Sequence, residues 1–110
     1  MLAMTFGDIT TLTGRSGAQY QFGIHPRQTR FIAKGAVFVI GRAEADNRYG
    51  LCYIGQTGDL SVRPFVKDKE SCFNAFGADH VLLLDEQNPT RRAEIAADLV
   101  AAYTPSCNTI

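Results

Sequence analysis

Residues 51–63 read Leu51-Cys52-Tyr53-Ile54-Gly55-Gln56-Thr57-Gly58-Asp59-Leu60-Ser61-Val62-Arg63. The run Leu51 to Ile54 is apolar, with the length and residue types of a buried strand. Gly55 and the polar turn Gln56-Thr57-Gly58 follow, and Asp59 is a good helix N-cap residue. A strand ending in glycine therefore hands over to a helix. Arg63 stands four residues past the cap, about one helical turn on, and ten past Tyr53. A phenol and a guanidinium are thus expected near one strand-to-helix corner. Two readings of the pair stay open: phosphate chemistry and simple packing.

Toward the N-terminus, Gly35-Ala36-Val37-Phe38-Val39-Ile40-Gly41 is a second apolar run between glycines. It is short and β-branched, which favours strand over helix. A polar connection with the turn signals Asp46-Asn47 and Tyr49-Gly50 separates it from Leu51. The two runs are expected to form an antiparallel pair at the sheet centre. Earlier still, Thr10 to Thr13 and Ala18 to Phe22 flank the turn Gly14-Arg15-Ser16-Gly17. The second of these alternates with period two, so a β-hairpin is predicted, ended by His25-Pro26. Phe31-Ile32-Ala33 reads as a short strand.

Toward the C-terminus, a short helix is predicted from Asp59 to about Arg63, with Pro64 kinking or breaking it. A second helix covers Val66 to Phe76 and stops at Gly77. His80-Val81-Leu82-Leu83-Leu84 lacks alternation, which predicts a strand buried on both faces. Asn88-Pro89-Thr90 opens a last helix that runs to about Tyr103 and is closed by Pro105. Its apolar stripe is Ile95, Ala96, Leu99, Val100 and Tyr103. Arg91, Glu94 and Asp98 fall on another face, at spacings that allow helix-surface ion pairs. The expected fold is a small α/β domain with a mostly antiparallel sheet flanked by helices. Residues 1–34 are expected to form an N-terminal β-hairpin extension, packed on one compact unit over residues 35–110.

A chain of 110 residues fits one domain, and 45% hydrophobic content suffices for a core. No apolar run approaches the roughly 20 residues of a membrane span. No basic region precedes an apolar core at the start, so no signal peptide is read. Cys52, Cys72 and Cys107 are odd in number and include no close pair. That pattern argues against a disulfide framework or a structural zinc site and predicts a reducing cytoplasm. His25 and His80 are too isolated in sequence to suggest a metal pair. The 11 basic and 11 acidic residues give a net charge of zero, which speaks against strong nonspecific DNA binding. Local basic groups remain, one at Arg27, Arg30 and Lys34 and one at Arg63, Lys67 and Lys69. Their ordinary reading is a solvated face.

The segment from Tyr53 to Leu60, followed by Arg63, resembles the second half of the GIY-YIG nuclease signature. Ala36 to Ile40 sits where the first half belongs. Tyr103-Thr104-Pro105-Ser106-Cys107-Asn108 is similar to the family's closing segment, in which a helix is followed by proline and then asparagine. The resemblance spans Gly35 to Asn108 and leaves the hairpin outside. Members of that family cut one DNA strand with a single divalent metal. A tyrosine aided by an arginine activates the nucleophile, and a glutamate on the late helix holds the metal.

Carried over residue by residue, the resemblance implies catalytic roles for Tyr53 and Arg63, and for Lys67, which stands where many members have histidine. It implies nucleic-acid contacts for Arg63, Lys67, Lys69 and Asn108. Two positions depart from the pattern. The tyrosine of the first half is Phe38, which has no hydroxyl. The metal-binding glutamate stands twelve residues before the closing asparagine in many relatives, and that position is Ala96. Glu94 becomes the candidate metal ligand only at a looser spacing. It is two residues from Ala96, a rotation of about 200° on a helix.

Three functions follow as expectations. The first is a GIY-YIG-fold protein that binds nucleic acid or phosphate with impaired or lost cleavage. The second is an active endonuclease using magnesium or manganese, with Glu94 as ligand. The third is a protein-interaction module that recruits a partner along the hairpin edge. An inactive protein would need no cofactor. DNA, RNA or a partner protein are the expected partners, and a membrane is not.

Overall fold

The computed structural model describes residues 9–44, 48–62 and 66–108. Its strands are β1 (Ile9–Thr13), β2 (Gln19–Pro26), β3 (Ala36–Ala43), β4 (Tyr49–Thr57) and β5 (His80–Asp85). Helix α1 (Glu70–Phe76) and helix α2 (Pro89–Tyr103) join them, with short 3-10 turns at Lys67–Lys69 and Ser106–Asn108. The five strands form one sheet in the order β1-β2-β5-β3-β4, and every neighbouring pair is antiparallel.

The hairpin forms where the turn residues place it, with Leu12 opposite Tyr20. It is part of the main sheet, because β2 pairs with β5 from Gly23↔Leu83 to Pro26↔His80. β5 is therefore central, with β2 on one side and β3 on the other. Its unbroken apolar run agrees: Val81, Leu82 and Leu83 are all buried. The β3–β4 pair is antiparallel as expected, but it does not lie at the sheet centre, since β4 is an edge strand. The chain returns after α1 to insert β5 beside β3, a long-range event that local patterning cannot show. Nor does Phe31-Ile32-Ala33 form a strand. β2 already has β1 and β5 as neighbours, so no sheet edge is left nearby for it, and Ile32 stays 73% exposed.

Alternation along the strands builds a core on each face. Ala36, Phe38, Ile40, Val81 and Leu83 pack with Leu60 and with Phe73 of α1. Val37, Val39, Ile54 and Leu82 pack with Ile95 and Leu99 of α2, and the hairpin adds Leu12, Tyr20 and Phe22. Burying each of the larger side chains stabilises the fold by roughly 1.5 to 3 kcal/mol. The apolar stripe read along α2 is thus the face that meets the sheet.

The helix ends follow local chemistry. Asn88 caps α2 by accepting from the Arg91 N–H at 3.0 Å, and Pro89 occupies the first turn, where no N–H is needed. Gly77 ends α1 at φ 82°; its own N–H donates to the Asn74 carbonyl and that of Ala78 to the Phe73 carbonyl. The helix expected from Asp59 does not form at its start. Leu60 and Ser61 make a turn because the Asp59 carboxylate accepts from both the N–H and the hydroxyl of Ser61. Such a local bond competes with helix propagation. Arg63 and Pro64, the expected end of that helix, lie outside the described residues.

Asp98 does not form the surface ion pair its spacing allowed. Its carboxylate accepts from the Ser16 N–H at 2.9 Å, the Ser16 hydroxyl at 2.7 Å and the Tyr20 hydroxyl at 2.8 Å. The hairpin turn is thereby fastened to α2. These bonds, Ser16 first, hold the Asp98 carboxyl below its ordinary value of 3.8. A depressed carboxyl stabilises the fold above its unfolded value and loses that contribution as pH falls through the folded one. Asp98→Asn is therefore expected to lower the urea midpoint near neutral pH. The gap to the parent protein should close as pH drops below 3.8. A gap of constant size down through that range would contradict this role.

Candidate functional site

The two segments that resemble the signature's halves meet on the β3–β4 ladder. Phe38 pairs with Gly55, Val39 with Ile54 and Ile40 with Tyr53. The register then shifts, because Gly41 pairs with Leu51 and leaves Cys52 as an extra residue in β4. This bulge puts Cys52 and Tyr53 on the same face, toward α1, while Leu51 and Ile54 face α2.

Tyr53 is half-buried. Its ring lies 6.1 Å from that of Phe38 in a stacked arrangement and 5.6 Å from that of Phe73. Gly55 makes this possible: a Cβ there would fall 2.8 Å from the Tyr53 ring and 3.0 Å from the Phe38 ring. Gly55 is thus a packing requirement of the two aromatic rings. Burial pushes the Tyr53 phenol up, and the nearby Asp68 carboxylate pushes in the same direction. At neutral pH Tyr53 is a neutral phenol, suited to donate a hydrogen bond and poorly suited to remove a proton.

The remaining candidates are placed as follows. Arg63 and the side chain of Lys67 lie outside what is described. The Lys67 backbone belongs to the 3-10 turn before α1, and Lys69 stands at the N-cap of that helix. Asn108 has a partner within the chain. Its side-chain oxygen accepts from the Ile54 N–H and its side-chain nitrogen donates to the Ile54 carbonyl, both at 2.9 Å. It acts as a substitute strand neighbour that closes the exposed edge of β4.

Glu94 is on α2, whose buried residues pack on the face opposite Tyr53. Its carboxylate is 3.7 Å from Arg91 and 62% exposed. Ala96 packs against the α2-side core. The structure does not bring Glu94 and Tyr53 together. Among the described residues, no group of three His, Cys, Asp or Glu side chains could hold a metal ion. The described residues thus assemble no divalent-metal site beside Tyr53, and no reaction step is derived through a metal.

Two features of this region escape the sequence reading. The first is a disulfide. Cys72 of α1 and Cys107 of the terminal 3-10 turn are bonded, with Cα atoms 6.0 Å apart. The cysteine pattern, which argued against a disulfide framework, gave no sign of this bond. The partners are 35 residues apart, and only tertiary folding brings α1 and the C-terminal turn to the same end of β4. The second is Arg92, 8% exposed on the sheet-facing side of α2. Its Nε donates to the Gln56 side chain at 2.9 Å, and Nη1 donates to the carbonyls of Glu86 and Gln87 at 3.0 Å. It joins the end of β4 to the β5–α2 connection. A signal for it existed, since Arg92 stands three before Ile95 and seven before Leu99, a charged residue on an apolar stripe.

No helix among the described residues is long and apolar enough to cross a membrane. No family model matches the sequence, and neither a curated protein nor a solved structure matches the chain.

Proposed function

We propose that this chain is a GIY-YIG-like domain that binds the phosphate backbone of nucleic acid beside Tyr53, with cleavage impaired. The observation that carries the reading is the Phe38–Tyr53 contact. The two positions that match the family's tyrosines sit on adjacent strands with their rings 6.1 Å apart, and Gly55 leaves the space for them. Tyr53 presents a neutral phenol as a donor to phosphate oxygens. Arg63, Lys67 and Lys69, close in sequence, supply the positive charge that phosphate contacts require.

Impaired cleavage has three supports. Phe38 cannot hydrogen-bond a water or move a proton. The Tyr53 phenol is shifted away from the value a base needs. Ala96 supplies no oxygen to a hard cation, and such ions depend on oxygen ligands.

The test is fluorescence anisotropy with labelled single- and double-stranded DNA and RNA at low salt, beside a plasmid assay with magnesium or manganese. The expected result is binding that weakens steeply with added salt and is reduced several-fold by Arg63→Ala, with the plasmid intact. Absence of binding at low salt would reject the proposal. Metal-dependent nicking that Arg63→Ala abolishes would replace it with an active endonuclease.

A further inference from the structure

All three cysteines of the chain converge at one point. The bulge in β4 turns Cys52 toward the α1 face, where its Sγ lies 3.2 Å from the Sγ of Cys107. Cys107 is already bonded to Cys72. Cys52 and Cys107 are fully buried, whereas Cys72 is partly exposed on α1. A free thiol thus touches the buried sulfur of a disulfide whose other cysteine is partly exposed.

We propose that these sulfurs form an internal exchange relay, which converts the buried thiol of Cys52 into a reactive surface thiol at Cys72. Cys52 loses its proton, and the thiolate attacks Cys107 Sγ. The Cys52–Cys107 bond forms as the Cys72–Cys107 bond breaks. Cys72 leaves with the bonding electron pair and takes up a proton. One disulfide and one thiol are present before and after, so no oxidant or reductant is consumed. Burial disfavours the Cys52 thiolate, while the Arg27 guanidinium favours it. The exchange also moves the cross-link. The C-terminal turn is released from α1 and held directly to β4, where Asn108 already binds Ile54. Cys72 then becomes a modification site for soft electrophiles and low-molecular-weight disulfides.

The test is alkylation of the native oxidised protein with N-ethylmaleimide, followed by acid quench and non-reducing peptide mapping. The relay predicts one adduct per chain, on Cys72, with Cys52 and Cys107 joined. Cys52→Ala, which removes the attacking thiol, is expected to take no adduct. An adduct on Cys52 overturns the proposal. So does no adduct on the native protein when the unfolded oxidised protein takes one, or an adduct on Cys72 at an undiminished rate in Cys52→Ala. Should that variant fail to fold, the position of the adduct in the parent protein decides.

Discussion

Reducing the Cys72–Cys107 disulfide is expected to lower stability by about 3 to 4 kcal/mol, from the chain-entropy relation for a loop of this size. The loop spans 35 residues and includes the end of α1, β5 and α2. Freeing its ends lets the unfolded chain explore many more conformations. The folded state also loses its covalent tie between α1 and the C-terminal turn. Asn108 still holds that turn to Ile54, so the native topology should survive. For a domain of marginal stability this is a large share of the total. Urea unfolding with and without a phosphine reductant measures it. A difference below about 1 kcal/mol, under the low end of what native disulfides contribute, would contradict the account.

Replacing Arg92 with alanine is the second large effect, expected to cost about 3 kcal/mol at roughly 1 kcal/mol for each bond lost. Three oxygens lose their donor at once: the Gln56 side chain and the carbonyls of Glu86 and Gln87. These acceptors lie in two separate segments. Truncation therefore loosens the end of β4 from the β5–α2 connection as well as opening space in the core. Lysine should recover little, because one ammonium on a flexible stem cannot reproduce a planar fork that reaches both segments. Urea midpoints of Arg92→Ala and Arg92→Lys check this. A lysine variant as stable as the parent protein would show that charge, and not geometry, is what the site needs.

Much of the architecture was legible because local chemistry decided it. The Gly14-Arg15-Ser16-Gly17 turn, Gly77 and the Asn88-Pro89 pair mark boundaries that the backbone obeys. The unbroken apolar run in β5 correctly signalled burial on both faces. What was not legible depends on partners distant in sequence. The central place of β5, the Cys72–Cys107 bond and the clasp of Asp98 on Ser16 and Tyr20 each join residues that no periodicity links. The bulge at Cys52 is hidden for a similar reason, since it is defined only against the register of β3. Asp59 is the opposite case: it has helix-capping chemistry, but Ser61 satisfies its carboxylate within the turn.

The site was partly legible in the same sense. Tyr53, Gly55 and Phe38 stand out in the sequence, and they lie against one another on β3 and β4. Asn108 stands out in the sequence too, and its amide pairs with the edge of β4. Its loss is therefore a matter of strand pairing before it is a matter of ligand contact.

The central claim is that nucleic acid binds on the Tyr53 side of the sheet. A titration of the isotopically labelled protein with a short oligonucleotide at low salt, followed by amide NMR, tests it most directly. The account predicts shifts that cluster at Tyr53 to Leu60 and at Lys67 to Lys69, fading as salt is raised. Shifts confined to the β1–β2 hairpin, or none at any concentration, would contradict it.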